Sequence, residues 1–395
     1  MQFEFATASR IIFGLGSINN LGSVAVTFGQ RALVVTKSSR TTGDGILGIL
    51  AHGGIDIIEL LHRENIEVFI FSINSEPTID DIQRGVAIAR DNHIDLVIGL
   101  GGGSALDAGK AISALVTNTG DPIDYLEVVG KGNPLVNPPI PYIAVPTTSG
   151  TGSEVTRNAV LQSPAHQVKV SLRHPLMLPK VALVDPELTY PLSQAVTASS
   201  GLDAFTQLLE PYVSIKTNPI VDPLCLEGIF RVARSLQRAY VSGQDGVARG
   251  DMALASLFGG LALANAGLGA VHGFAAPLGG IFHAPHGALC ACLLPHVIRT
   301  NVRAMQKRQP DHPSLGRYAE VAKIITGSPK ANIDDCVEWI TSITRNFEIP
   351  ALNYYGIQPT DFPTIIEKAA SASSMKTNPI QLTSSELEEI LANAF

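Results

Sequence analysis

At 395 residues the chain is long for one domain and comfortable for two. It is 45% hydrophobic and 16% charged, an ordinary globular composition, and its net charge of −7 argues against nucleic acid or an anionic membrane as partner, since both select clustered Lys and Arg. No apolar run reaches about 18 residues, so no membrane span is expected, and the start, MQFEFATASRIIFGLGS, lacks the basic and apolar blocks of a signal peptide.

The first half alternates short apolar runs with helical periodicity. RALVVT (31–36), EVFIFS (67–72), IDLVIGLG (94–101), PYIAVPTT (141–148) and VALVDP (181–186) are bounded by turn residues and suit strands covered on both faces. Between them, 79–93 and 105–118 carry apolar residues at the 3.6 period, which predicts an open α/β sheet with helices on both faces. After about residue 187 the pattern becomes Ala/Leu-rich and helical to the end. We therefore expect an α/β domain over 1–187 and an all-helical domain over 188–395, with no internal repeat.

Two loops in the first half have the chemistry of a nucleotide site. In LVIGLGGGSALDAGKAISAL a strand runs into Gly101, Gly102 and Gly103 and then a helix, so backbone can approach a pyrophosphate that faces the helix N-terminus. Ser104 is a candidate cap for that helix. The stretch fits neither a Walker A loop, because Ala111 stands where Ser or Thr belongs, nor a strict G-x-G-x-x-G. VPTTSGTGSEVT (145–156) follows the next strand and offers Thr147, Thr148, Ser149, Thr151 and Ser153 between Gly150 and Gly152. Hydroxyls and glycine backbone at the end of a buried strand suit a phosphate or ribose.

The second half offers metal ligands. Asp203 and Gln207 are four apart in SGLDAFTQLLEPY, on one face of a helix. Downstream, AVHGFAAPLGGIFHAPHGALCACLLPH holds His272 and His286, fourteen apart, with Gly279, Gly280 and Pro285 expected to bend the segment into helix, turn, helix. A carboxylate, an amide oxygen and two imidazoles form a plausible set for a divalent first-row metal. Cys225, Cys290, Cys292 and Cys336 are the four cysteines. Cys290 and Cys292 sit in an apolar run in C-x-C spacing and read as buried reduced thiols, which fits a cytoplasmic compartment.

Taken together, GGGSALDAGKAI, VPTTSGTGSEVT, VALVDPELT, GLDAFTQLLEPYVS and VHGFAAPLGGIFHAPHGALCACLLPH resemble the iron-containing (group III) alcohol dehydrogenase family, over nearly the whole chain. The resemblance implies a dehydroquinate synthase-like architecture: an N-terminal dinucleotide-binding domain, an all-α domain, and an active site in the cleft between them. It implies NAD(P)-dependent hydride transfer between an alcohol or aldehyde and nicotinamide, helped by Fe²⁺ or Zn²⁺ held by Asp203, Gln207, His272 and His286. Asp203, His272 and His286 are the expected catalytic group. Gly101, Gly102, Gly103, Ser104, Asp107, Thr147, Thr148, Ser153 and Lys169 are expected around the cofactor.

Two departures from the family pattern stand out. Gln207 occupies a position that is usually His, and Ala276 occupies that of a second His, a candidate proton relay. His283 is a candidate substitute for either. A metal-free reductase of the maleylacetate reductase type is the alternative, as is a dinucleotide-binding protein without turnover. A lyase like dehydroquinate synthase is disfavoured, because 200–212 and 271–296 contain no Lys or Arg for a polyhydroxylated acid. Lys37, Ser38, Ser39 and Arg40 offer charge and hydroxyls to a ribose 2′-phosphate, which favours NADP over NAD. The small apolar stretch GFAAPLGGIF suits a primary alcohol or aldehyde, and a homodimer or higher oligomer is expected from the family.

Overall fold

The structure, a computed structural model, describes residues 2–37, 51–52, 55–127, 129–166 and 168–395. The chain forms two compact units: Thr7–Thr148 with Gly152–Pro191, and Met1–Ala6 with Ser149–Thr151 and Leu192–Phe395.

The strands are β1 (Arg10–Phe13), β2 (Arg31–Lys37), β3 (Ala51–His52), β4 (Ile55–Asp56), β5 (Glu67–Ile73), β6 (Leu96–Gly101), β7 (Tyr142–Pro146), β8 (Asn158–Ser163), β9 (Val168–Arg173) and β10 (Val181–Val184). Six of them form a parallel sheet in the order β1-β10-β7-β6-β2-β5. Every residue of β6, β7 and β10 is buried, as a central strand covered on both faces requires. Among the described residues, the helices of this unit are α1 (Leu21–Ala25), α2 (Ile57–His62), α3 (Ile79–Asp91) and α4 (Gly103–Val116). Thr78 and Asp81 close a capping box that fixes where α3 begins.

From β2 the chain runs outward to β5 and then returns to β6 on the other side of β2. That reversal is a topological switch point, and the crevice beyond the carboxyl ends of such strands is where open α/β sheets bind ligands. Lys37 ends β2 and Gly101 ends β6, so the sheet topology itself places the glycine loop at the crevice.

The other unit is helical: α5 (Gln194–Val213), α6 (Val221–Val241), α7 (Gly246–Ala266), α8 (Ala270–Phe282), α9 (His286–Arg308), α10 (Pro313–Thr326), α11 (Ile333–Asn346), α12 (Phe362–Ser371) and α13 (Ser384–Ala394). Phe205, Leu208, Leu236, Met252, Phe274 and Leu289 share its core. Burying each such large side chain contributes about 1.5–3 kcal/mol. α7 is long and apolar enough to cross a membrane by length and composition alone, but 67% of that window is buried inside the protein. It packs against α5 and α6 as a core helix.

The predicted strands and helices are present with ends shifted by a few residues. β1 and the antiparallel hairpin β8–β9 were not anticipated. β1 is mostly exposed, and β9 carries Lys169 and Arg173, so neither shows a buried apolar run. The bend in 271–296 also differs from expectation. Gly279 and Gly280 lie inside α8, and the break falls at His283, whose φ of 54° places it in the left-handed region just before Pro285.

Candidate functional site

Three helices bring the candidate metal-ligating side chains together. Asp203, Gln207 and Glu210 occupy positions i, i+4 and i+7 of α5 and so share a face. His272 lies in the first turn of α8, His286 opens α9, and Cys290 follows His286 by one turn. The two imidazoles end with ring centroids 5.3 Å apart. The start of α9 also lies close against α5: a Cβ at Gly287 would be 2.4 Å from the Ser199 carbonyl oxygen, so only glycine fits there.

Asp203 Oδ1 lies 3.4 Å from His272 Nε2 and 3.8 Å from His286 Nε2. Ligand atoms of Asp203, His272, His286 and Cys290 all fall within 4.8 Å of one another. Asp203 is 2% exposed, yet its Oδ1 has no hydrogen-bond partner among the described residues. A buried carboxylate oxygen without a donor is costly, and a cation at the centre of the cluster would relieve that cost. The donor set fits a divalent metal.

Glu210 completes the arrangement. Its Oε2 lies 2.6 Å from His272 Nδ1 and its Oε1 accepts the Val271 N–H at 2.7 Å. A carboxylate on Nδ1 holds that nitrogen's proton, so Nε2 is the nitrogen that faces the cluster and could bind an ion once its own proton is displaced. Burial works against a charged imidazole at His272, but Cys290, Glu210 and Asp203 outweigh it and raise its pKa well above the usual value. Burial likewise opposes ionisation of Asp203, and His286 and His272 outweigh it and lower its pKa. The pocket is one that draws positive charge.

Gln207 is 2% exposed, and its Nε2 donates to the Gly150 carbonyl at 3.0 Å. That bond fixes which end of the amide is which, and Oε1 is left buried with no donor among the described residues. His283 is not part of the cluster of potential ligands. Ala276 sits one turn beyond His272 on α8.

In the α/β unit, Gly101 has φ of 150° and the N-cap of α4 is Gly102, with no side chain capping the helix. The N–H groups of its first turn are thus presented to a ligand. Ser104 lies within that turn rather than at the cap, because α4 begins at Gly103, before the predicted start. Thr147 N–H donates to the Gly101 carbonyl at 2.9 Å, and a Cβ at Gly102 would come within 3.2 Å of the Thr148 side chain. Gly101, Gly102, Gly103, Ser104, Thr147 and Thr148 therefore form one continuous surface.

Asp107 and Ser153 are joined to each other: Ser153 Oγ donates to Asp107 at 2.5 Å, and Asp107 also accepts the Val160 N–H. Beside them is a lysine the sequence reading passed over. Lys110 is 1% exposed and donates to Ser153 O and Oγ, Thr156 Oγ1 and Asn158 O. Burial lowers its pKa to about 8. The lysine of this Walker-like stretch thus pins the 153–158 segment instead of reaching for phosphate. Lys169 pairs with Glu76 at 2.8 Å. Lys37 is exposed at the end of β2, and Ser38, Ser39 and Arg40 lie outside the described residues.

Sequence reasoning missed Glu210 and the position of Cys290. Both had a visible signal: Asp203, Gln207 and Glu210 make a polar stripe on an otherwise apolar helix, and Cys290 is spaced i+4 from His286.

Comparison with known proteins identifies the family. The profile described as "Iron-containing alcohol dehydrogenase" matches residues 8–186, and "Fe-containing alcohol dehydrogenase family, C-terminal" matches 197–395. The chain is 35% identical to the 1,3-propanediol dehydrogenase of Klebsiella pneumoniae, covering 100% of this chain and 99% of that protein. It is 33% identical to alcohol dehydrogenase 4 of Saccharomyces cerevisiae, covering 93% and 91%. A crystal structure of 1,3-propanediol oxidoreductase superposes with a TM-score of 0.89 at 33% identity over 100% of both chains. The chain belongs to the iron-containing alcohol dehydrogenase family and is an NAD(P)-dependent oxidoreductase acting on CH–OH.

Proposed function

We propose that the protein interconverts primary alcohols and aldehydes with NADP in preference to NAD, at a divalent metal, iron or zinc, held by Asp203, His272, His286 and the Gln207 amide oxygen. The observation that carries this reading is the buried Asp203 Oδ1, which has no hydrogen bond among the described residues and faces two imidazole nitrogens at 3.4 and 3.8 Å. A bound metal supplies Lewis acidity to the substrate oxygen and lowers the pKa of the alcohol.

The chain's own residues do the rest. Asp203 contributes the negative charge that retains the ion, and Glu210 keeps His272 in the tautomer whose Nε2 can bind. His286, with its side chain 35% exposed, is the ligand next to solvent. In the α/β unit, Gly101, Gly102, Gly103 and Ser104 present backbone N–H groups to the pyrophosphate, with Thr147 and Thr148 beside them. Asp107, Ser153 and Lys169 belong to the cofactor site as supports of that surface. Lys37 at the switch point offers charge to a 2′-phosphate. With Ala276 in place of an imidazole, the proton leaves through water or the cofactor ribose hydroxyl.

On this reading residues 1–187 bind the nucleotide and 188–395 carry the metal and substrate. We place the enzyme in the cytoplasm, where four thiols without disulfides remain reduced, and expect a homo-oligomer. Edge strand β1, with Ile11 and Phe13 over a third exposed, gives oligomerisation a surface.

A second reading is supported by Gln207, whose amide is a weaker ligand than imidazole: a metal-free reductase in which Gln207 orients the substrate carbonyl. Elemental analysis of anaerobically purified protein separates the two. About one iron or zinc per chain is expected. Absence of stoichiometric metal in protein that reduces an aldehyde with NADPH would overturn the metal-assisted reading.

A further inference from the structure

Cys290 is fully buried, and its sulfur lies 3.9 Å from His272 Nε2 and 3.7 Å from His286 Nε2. A tetrahedral ion with N and O bonds of about 2.1 Å and an S bond of about 2.3 Å sets N and O ligands roughly 3.4 Å apart and N and S ligands roughly 3.6 Å apart. The four separations, 3.4 and 3.8 Å from Asp203 and 3.7 and 3.9 Å from Cys290, lie close to those edges before any ion draws the groups inward. The sulfur is also fixed in place, because Cys290 stands one turn after His286 on the same face of α9. Its neighbour in the C-x-C pair points elsewhere, with Cys292 Sγ 3.5 Å from the Ala394 carbonyl. Gln207 is the competitor for the fourth position, with an amide held at one end by Gly150.

We infer that the Cys290 thiolate is a direct metal ligand. It forms an Asp-His₂-Cys set with Asp203, His272 and His286, and takes the position that Gln207 fills only weakly. The inference rests on the metal-assisted reading above and refines its ligand set. Coordination replaces the thiol proton, which leaves to solvent, with the metal. A thiolate changes what the site selects. Soft sulfur favours Zn²⁺ among the available metals, whereas Asp with neutral N and O donors also suits Fe²⁺. Two anionic ligands also neutralise a divalent ion, which lowers its Lewis acidity but holds it more tightly.

The test is to strip the full-length protein of metal and titrate it with Co²⁺, following absorption. The expected result is one Co²⁺ per chain with visible ligand-field bands and a near-ultraviolet thiolate-to-cobalt charge-transfer band. Cys290→Ser should lose the charge-transfer band and weaken Co²⁺ binding on the order of 100-fold, while Cys292→Ser should keep both. X-ray absorption of the zinc-loaded wild-type protein needs no variant and should show one sulfur at about 2.3 Å. Stoichiometric Co²⁺ with ligand-field bands but no thiolate band, or zinc with only N and O neighbours, would overturn the inference and leave the metal site standing. Failure of the wild-type protein to bind Co²⁺ or Zn²⁺ would overturn the metal reading itself, and the inference with it.

Discussion

The two candidate binding regions solve different problems with different parts of the chain. The glycine loop presents backbone: an uncapped helix N-terminus at Gly102 and Gly103, with the nearby ionisable groups, part-buried Asp107 and buried Lys110, tied to Ser153, Thr156, Asn158 and Val160. The metal cluster presents side chains, and it leaves Asp203 Oδ1 and Gln207 Oε1 buried without donors among the described residues. Backbone N–H groups suit a cofactor that must come and go, because they hold part of a ligand without depending on any one side chain. Unsatisfied buried oxygens suit a resident ion, whose loss exposes their cost. The regions should therefore respond differently to substitution.

The sharpest division comes from Asp203→Asn. Removing the anionic ligand should cost on the order of 10³-fold in kcat/KM, about 4 kcal/mol of transition-state stabilisation, and should strip the metal. Dinucleotide affinity, read by NADPH fluorescence, should be almost unchanged, and a comparable loss there would break the comparison. Glu210→Gln keeps the size but loses the charge behind His272, so metal affinity should fall by about 10–100-fold, measured by chelator competition.

From the other side, Gly102→Val should crowd Thr148 and the loop, raising the dinucleotide KM by about tenfold or more while metal content by elemental analysis stays at wild type. Lys37→Asp tests the nucleotide region for specificity, and the ratio of kcat/KM for NADPH over NADH should fall by about tenfold. An unchanged ratio would remove Lys37 from the 2′-phosphate site.

The smallest effect concerns stability of the helical unit. Burial, with Arg299 adding to it, lowers the His296 pKa to about 4, below its ordinary value near 6.5. The unfolded chain then binds more protons than the native one between those values. Native stability is fully present above about pH 6.5 and declines as the pH falls towards 4. Denaturant midpoints across that range should flatten in His296→Gln, and an unchanged slope would assign the acid sensitivity to other groups.

The same contrast governed what could be read from sequence. The sheet was legible because β6, β7 and β10 are buried at every residue, so their apolar runs stand out. The loops at their ends were legible through glycine and hydroxyl content. β1 was not, since an edge strand with exposed Arg10, Ile11 and Phe13 has no such run. In the helical unit Asp203, Gln207, His272 and His286 stood out as a possible donor set by residue type and spacing, which the family resemblance then matched, and the structure brings Asp203, His272 and His286 together. Cys290 was read as a buried reduced thiol, and it is buried and free, but its place beside the histidines was not anticipated. Two residues apart on a helix means nearly opposite faces, so Cys292 points elsewhere, and the residue next to Cys290 on its own face is His286, four back.

α7 has a consequence for how the protein is made. Gly246–Ala266 could partition into a lipid bilayer on composition alone, and a ribosome releases it as a bare apolar segment. The helices that cover it, α5 and α6, precede it in the chain and have emerged when it appears. Its largest contacts are with nearby, already synthesised surface, which keeps the interval of exposure to chaperones and membranes short. Nascent chains arrested soon after residue 300 should already protect α7 from protease. Cleavage there as fast as in a chain lacking α5 and α6 would show that burial waits for the C-terminal helices.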